Sequence, residues 1–121
     1  MRATLKRLHS PDALDLAQFA PTQPDHFGVN VQMFVGPADG VGEESFDLVV
    51  CTARWLADHY RAQLPRTLRH HILVHEYDFR ALKTYLEKLV GACHGETWNE
   101  VTRKVGRIGR WEFEDYTAPD S

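Results

Sequence analysis

An α+β domain is the fold class that this sequence predicts, on three observations. Two stretches of period-two apolar alternation, Phe27 to Val35 and Ser45 to Cys51, flank a glycine-rich turn. Three later stretches carry apolar residues at helical spacing. The chain, 121 residues and 13.9 kDa, can bury one continuous core, and no linker, repeat or low-complexity tract divides it. The expectation is a single domain over residues 1–121: a small antiparallel sheet of about four strands with two or three helices packed on one face.

Ala3 to His9 reads as a first strand with weak alternation. Ser10-Pro11-Asp12 follows as a helix-start signal, with a cap, a proline at the first helical position and an acid near the positive end. It predicts a short helix through Leu14 and Leu16, then a loop from Pro21 to Asp25. Phe27, Val29, Val31, Met33 and Val35 share one face of the next strand, and Gly28, Asn30, Gln32 and Phe34 the other. Gly36 to Gly42 turns the chain back into Ser45–Cys51, whose Phe46, Leu48 and Val50 share a face.

Thr52 stands where an N-cap belongs, ahead of a helix from Ala53 to Leu64 with Trp55, Leu56, His59, Tyr60 and Leu64 on one side. After Pro65, His71 to Glu76 reads as a short strand. A second helix starts near Asp78, with a stripe of Phe79, Leu82, Leu86, Leu89, Val90 and Cys93, and Gly95 is placed to end it. Thr97-Trp98-Asn99-Glu100 is a capping box opening a third helix with Trp98, Val101, Val105 and Ile108 inward. Trp55 and Trp98 both fall on apolar stripes, so each is expected in the core, with about 3–5 kcal/mol lost on replacement by alanine.

Composition narrows function mainly by exclusion. A hydrophobic fraction of 43% with three Trp, four Tyr and six Phe describes a folded globule. No apolar run suits a signal peptide or a membrane span, and two cysteines make no disulfide framework, so a reduced cytoplasmic protein is expected. The net charge of −3 hides a pattern: from Leu8 to Ala53 there are seven acids and no Lys or Arg. Arg54 to Trp111 carries eleven bases against six acids, and Glu112 to Ser121 adds four acids and no base. A nucleic-acid binder would show a net basic domain, so none is expected.

Candidate chemistry is sparse. His71 and His75 lie four residues apart in an expected strand, roughly 13 Å at about 3.3 Å per residue, too far to share a zinc ion. Cys51, between a strand and a helix start, is where a helix dipole stabilises a thiolate, which would make it the nucleophile of a small cysteine-dependent enzyme. Val50-Cys51-Thr52-Ala53 lacks the glycines of a nucleophile elbow, and a packed thiol is the plainer reading. Glu112, Glu114 and Asp115 alternate with aromatics in Trp111-Glu112-Phe113-Glu114-Asp115-Tyr116. No phosphate-binding glycine loop, Ser–His–Asp arrangement or CxxC motif is present, and no cofactor or metal is expected.

Several segments in order carry a resemblance: Leu8-His9-Ser10-Pro11-Asp12, Pro24-Asp25-His26-Phe27-Gly28, Gly42-Glu43-Glu44-Ser45-Phe46-Asp47 through Val50-Cys51-Thr52 to Trp55-Leu56, and Trp111 to Tyr116. Together they resemble the immunity protein 8 family over nearly the whole chain. The resemblance implies a non-enzymatic inhibitor from a bacterial polymorphic-toxin locus, which protects the producing cell by binding a cognate toxin domain. A general protein-interaction adaptor is the other non-enzymatic reading.

An acidic domain suits a basic toxin, since opposite potentials speed encounter. Asp39, Glu43, Glu44 and Asp47, on or beside the glycine-rich loop in a stretch without a Lys or Arg, are the candidate contact residues, with Glu112, Glu114 and Asp115 the next. An ordinary solvated turn would use the same residue types. A monomer or weak homodimer is expected, with no membrane or nucleic-acid partner.

Overall fold

Residues 1–113 are described by the structure, a computed structural model. Among them five strands form one sheet: β1 (Ala3–His9), β2 (Gly28–Pro37), β3 (Glu44–Cys51), β4 (His71–Leu73) and β5 (Arg110–Trp111). β1, β2 and β3 run antiparallel in that order, with a register shift between Leu5 and Arg7. β4 and β5 divide the far edge of β3. β4 lies parallel to Val49–Cys51 and β5 antiparallel to Phe46–Asp47. The α+β class and the antiparallel hairpin stand as the alternation predicts, with one strand more than expected and one parallel pair.

The core follows the period of two. Val29, Val31, Met33 and Val35 of β2 lie beside Val50, Leu48 and Phe46 of β3, all buried. Helix α2 (Phe79–Gly91) covers this face with Leu82, Leu86 and Val90, and helix α3 (Trp98–Val105) with Val101, Thr102 and Val105. Both starts are capped by side chains. Asp78 accepts from Ala81 N–H at 3.0 Å and Thr97 from Glu100 N–H at 3.2 Å. The return arm of the predicted box shifts by one residue, for the Glu100 carboxylate accepts from Glu96 N–H at 3.0 Å. Helix α2 closes at Gly91 with Ala92 as its cap, short of Gly95.

Three other expectations change. Residues 10–16 form bends and the start of a turn instead of a helix, for although Ser10 Oγ accepts from Asp12 N–H at 3.0 Å as a cap would, both would-be capping groups are also tied to the neighbouring strand. Ser10 Oγ donates to Asn30 O at 2.5 Å, and the Asp12 carboxylate accepts from both Asn30 N–H and its side-chain amide. Helix α1 (Ala53–His59) stops five residues early in a 3₁₀ turn, Arg61–Gln63, and buries no residue. Thr52 precedes it without capping it, since its hydroxyl accepts from Phe27 N–H at 3.1 Å and serves the sheet instead. Last, β4 is only three residues long. His70 enters it at a left-handed φ of 62°, with its Nε2 donating to Gly106 O at 2.7 Å.

The reverse face of the sheet has a different cover. Gly28 pairs with Cys51 at one end, and a Cβ on Gly28 would lie 2.3 Å from the Trp55 indole. Glycine there lets α1 set its one large ring directly on the backbone. Trp55 stacks on His59 at 4.2 Å, with Tyr60 edge-on to both. Tyr60 donates its hydroxyl proton to His71 Nε2 at 2.7 Å, because His71 Nδ1 carries the proton that it gives Arg69 O at 2.6 Å. Trp55 thus stands half-exposed outside the core, and the core expectation for it fails. Trp98 is also part-exposed but packs against the core cluster.

Candidate partner-binding surface

Local alternation puts Asp47 on the reverse face of β3, and the turn after β2 presents Asp39; both are exposed. The strands around them rearrange the charge that the sequence suggests. β1 runs antiparallel to β2, which returns Lys6 and Arg7 to the tip of the hairpin. Arg7 donates through Nε and Nη2 to the Glu43 carboxylate at 2.9 and 2.7 Å, and its guanidinium lies 3.7 Å from the centre of the Phe34 ring. Lys6 Nζ donates to Gly40 O at 3.0 Å. The cluster that looks uncompensated along the chain is therefore compensated in space at Glu43.

Glu44 is also committed. It stands at the start of β3 and accepts from the Trp98 indole N–H at 2.8 Å, tying the hairpin to α3. Glu112 reaches back to Ser45 N–H at 3.5 Å, beside the same end of β3. Asp39, Glu43, Glu44, Asp47 and Glu112 thus gather around the hairpin; among the described residues the Asp39 and Asp47 carboxylates make no hydrogen bond or ion pair, though Arg110 of β5 stands across from Asp47 in the sheet. Glu114 and Asp115 lie outside the described residues. The tip carries an apolar residue as well, since Val41 is 96% exposed between Gly40 and Gly42.

Cys51 shows what its setting allows. It is fully buried at the end of β3, and burial pushes its thiol up to about 11. The loss of water around a thiolate outweighs whatever the seven-residue α1 contributes. At neutral pH the group is a neutral thiol packed as an apolar side chain. Burial also raises Cys93, whose Sγ donates to Leu89 O at 3.5 Å. Among the described residues no group of three His, Cys, Asp or Glu side chains is placed to hold a metal ion. Among the same residues no helix is long and apolar enough to cross a membrane.

Sequence reasoning put Trp55, His59 and Tyr60 on one side of a helix but took that side for a core face; they form an aromatic group on the reverse face, with the Arg66 guanidinium 4.1 Å above the Tyr60 ring. Its border is ionic. The Arg54 guanidinium holds the Asp25 carboxyl below the usual carboxylate range, and a hydrogen bond from His26, then Arg61, does so for Asp58. The signal was Gly28, the one small residue in an otherwise filled alternation.

The family model described as Immunity protein 8 matches residues 3–116. Among curated proteins and among solved structures, none matches the chain.

Proposed function

The chain belongs to the Immunity protein 8 family, and on that premise we propose that it binds and neutralises a cognate toxin domain of a bacterial polymorphic toxin system. The match over nearly the whole chain is the observation that carries this reading. The protein acts in the cytoplasm as a single domain without catalysis or cofactor. The neutral, buried Cys51 supports that reading, since a nucleophile must be ionised and reachable.

The toxin docks on the hairpin end of the sheet. Asp39 and Asp47 supply exposed negative charge, Glu112 adds to it, and Val41 supplies an apolar tip. A basic toxin surface is steered to this end and pairs there as water leaves. Arg7, held on Phe34 and Glu43, keeps the loop in place on its strands. The binding energy comes from a few such groups, while the remaining contacts exclude water.

The test uses the toxin domain encoded beside this chain's gene. Asp39→Lys with Asp47→Asn removes two exposed carboxylates without touching the Arg7–Glu43 pair or the Trp98–Glu44 bond, and puts no like charge across from Arg110. Association should slow roughly tenfold at low salt and lose most of its salt dependence. In co-expression the double variant should accumulate normally and protect poorly. Unchanged association and full protection would remove the hairpin end from the interface. Failure of the parent protein itself to bind that toxin would remove the function.

A further inference from the structure

The far edge of the sheet presents a second surface, made of backbone as much as side chain. Val49 N–H donates to His70 O and Val74 N–H to Cys51 O, both at 2.9 Å. In a parallel ladder this phase turns His70, Ile72 and Val74 toward β3 and leaves the N–H and C=O groups of His71 and Leu73 pointing outward. They have no backbone partner among the described residues. A groove of about 400 Å³ runs beside this edge between β4 and α2, with Ile72, Val74, Ala81, Leu82 and Tyr85 along it. Leu73 is 64% exposed and Tyr85 49%, and Leu68, just ahead of β4, is exposed too. An open edge with apolar residues is a template for another strand.

We propose that this edge pairs with the same edge of a second copy, antiparallel about a two-fold axis at Ile72. The charges flanking β4 decide the occupant. Exposed Arg66 precedes the strand, while Glu76 and Asp78 follow it. Antiparallel pairing centred on Ile72 brings the basic flank of each copy alongside the acidic flank of the other, and a two-fold makes this happen twice. His71 of one copy then exchanges both hydrogen bonds with Leu73 of the other, twice over. The sheet becomes continuous across the pair, and the two α2 helices bring Tyr85 and Ala81 together over the seam, closing both grooves. An extended segment of an unrelated protein would fill the groove but has no reason to carry this charge order. The pairing needs no toxin, and the hairpin end lies at a different part of β3.

Sedimentation of the full chain from roughly 5 to 200 µM tests it. The expected result is a monomer–dimer equilibrium, weakened at least roughly tenfold by Leu73→Asp, an exposed position whose change should leave the circular dichroism spectrum intact. Ile72→Cys supplies an independent reading. Residues facing each other at a non-hydrogen-bonded antiparallel site approach closely enough for a disulfide. The variant should cross-link to itself under mild oxidation, while Leu14→Cys, on a fully exposed residue, should not. The native Cys51 and Cys93 are buried and leave the assignment clean. A monomer throughout the range, or no more cross-link from Ile72→Cys than from Leu14→Cys, overturns the pairing. A monomer whose Leu73→Asp form loses protection against the toxin also overturns it and gives the groove to the toxin.

Discussion

The two faces of this sheet are built from the same strands and hold together differently. On the core face Phe46, Met33, Leu86, Val90, Val101 and Val105 are fully buried, and two capped helices cover them. On the reverse face one short helix buries nothing, and a single indole rests on a glycine within a frame of hydrogen bonds and ion pairs. The first face derives its stability from apolar area removed from water. The second depends on close approach at a few points, most of them reached by solvent. The difference leaves the reverse face, the hairpin tip and the β4 edge available for partners without risk to the core.

That contrast fails if a core-face truncation proves mild. Phe46→Ala should cost about 3–5 kcal/mol in urea or guanidinium unfolding, since the ring is fully buried and its removal leaves a cavity. A loss near ~1 kcal/mol would mean that the core face is looser than its burial indicates. Trp98→Ala should cost less, about 2–3 kcal/mol, because that ring is part-exposed and its loss leaves Glu44 without its N–H donor.

Trp55→Ala probes the reverse face, with an expected loss of about 1–2 kcal/mol, for a half-exposed ring that makes one stack. Gly28→Ala should cost a similar ~1–2 kcal/mol by forcing the indole away. Combined, the two should be clearly less harmful than their sum, because Trp55→Ala removes the atoms with which the new Cβ collides. Strict additivity in that double-mutant cycle would show that α1 does not lean on Gly28.

The smallest expected effect concerns Cys51. Its folded pKa is raised by burial, so the stability from keeping a neutral thiol is fully present below the unfolded value, about 8.5. As pH climbs from there toward about 11 the unfolded chain ionises first, and stability falls. Cys51→Ala should show a shallower decline over that range. Iodoacetamide at neutral pH should label the folded protein slowly; rapid labelling at Cys51 would return it to the list of nucleophiles.

Legibility followed the same division. The alternation through Phe27–Val35 and Phe46–Val50 marked the buried face residue by residue, and the stripe of Leu82, Leu86 and Val90 marked the helix that covers it. Thr97 and Asp78 signalled helix starts correctly, since a cap is made within three residues. Ser10 carried the same signal and makes the same kind of local bond, to Asp12 N–H, yet no helix follows, because Ser10 and Asp12 are also tied to Asn30, about twenty residues away. For the candidate site the acidic loop was visible, but the partners of Glu43 and Glu44 were not. Arg7 lies 36 residues from Glu43 along the chain, and Trp98 lies 54 from Glu44.

Read without its fold, then, the chain already settles which residues of β2, β3 and α2 leave water. The period of a strand or helix is fixed by backbone geometry over a few residues and needs no knowledge of the rest of the chain. Its resemblance to immunity protein 8 belongs here as well, and the family match bears it out. Which charges remain free, which strand edges stay open and whether Cys51 meets solvent were set by the assembled fold. Those outcomes depend on what comes to rest nearby. A chain folded into a sheet sets Arg7 beside Glu43, Trp55 on Gly28 and β4 at the border through pairings that no local pattern encodes.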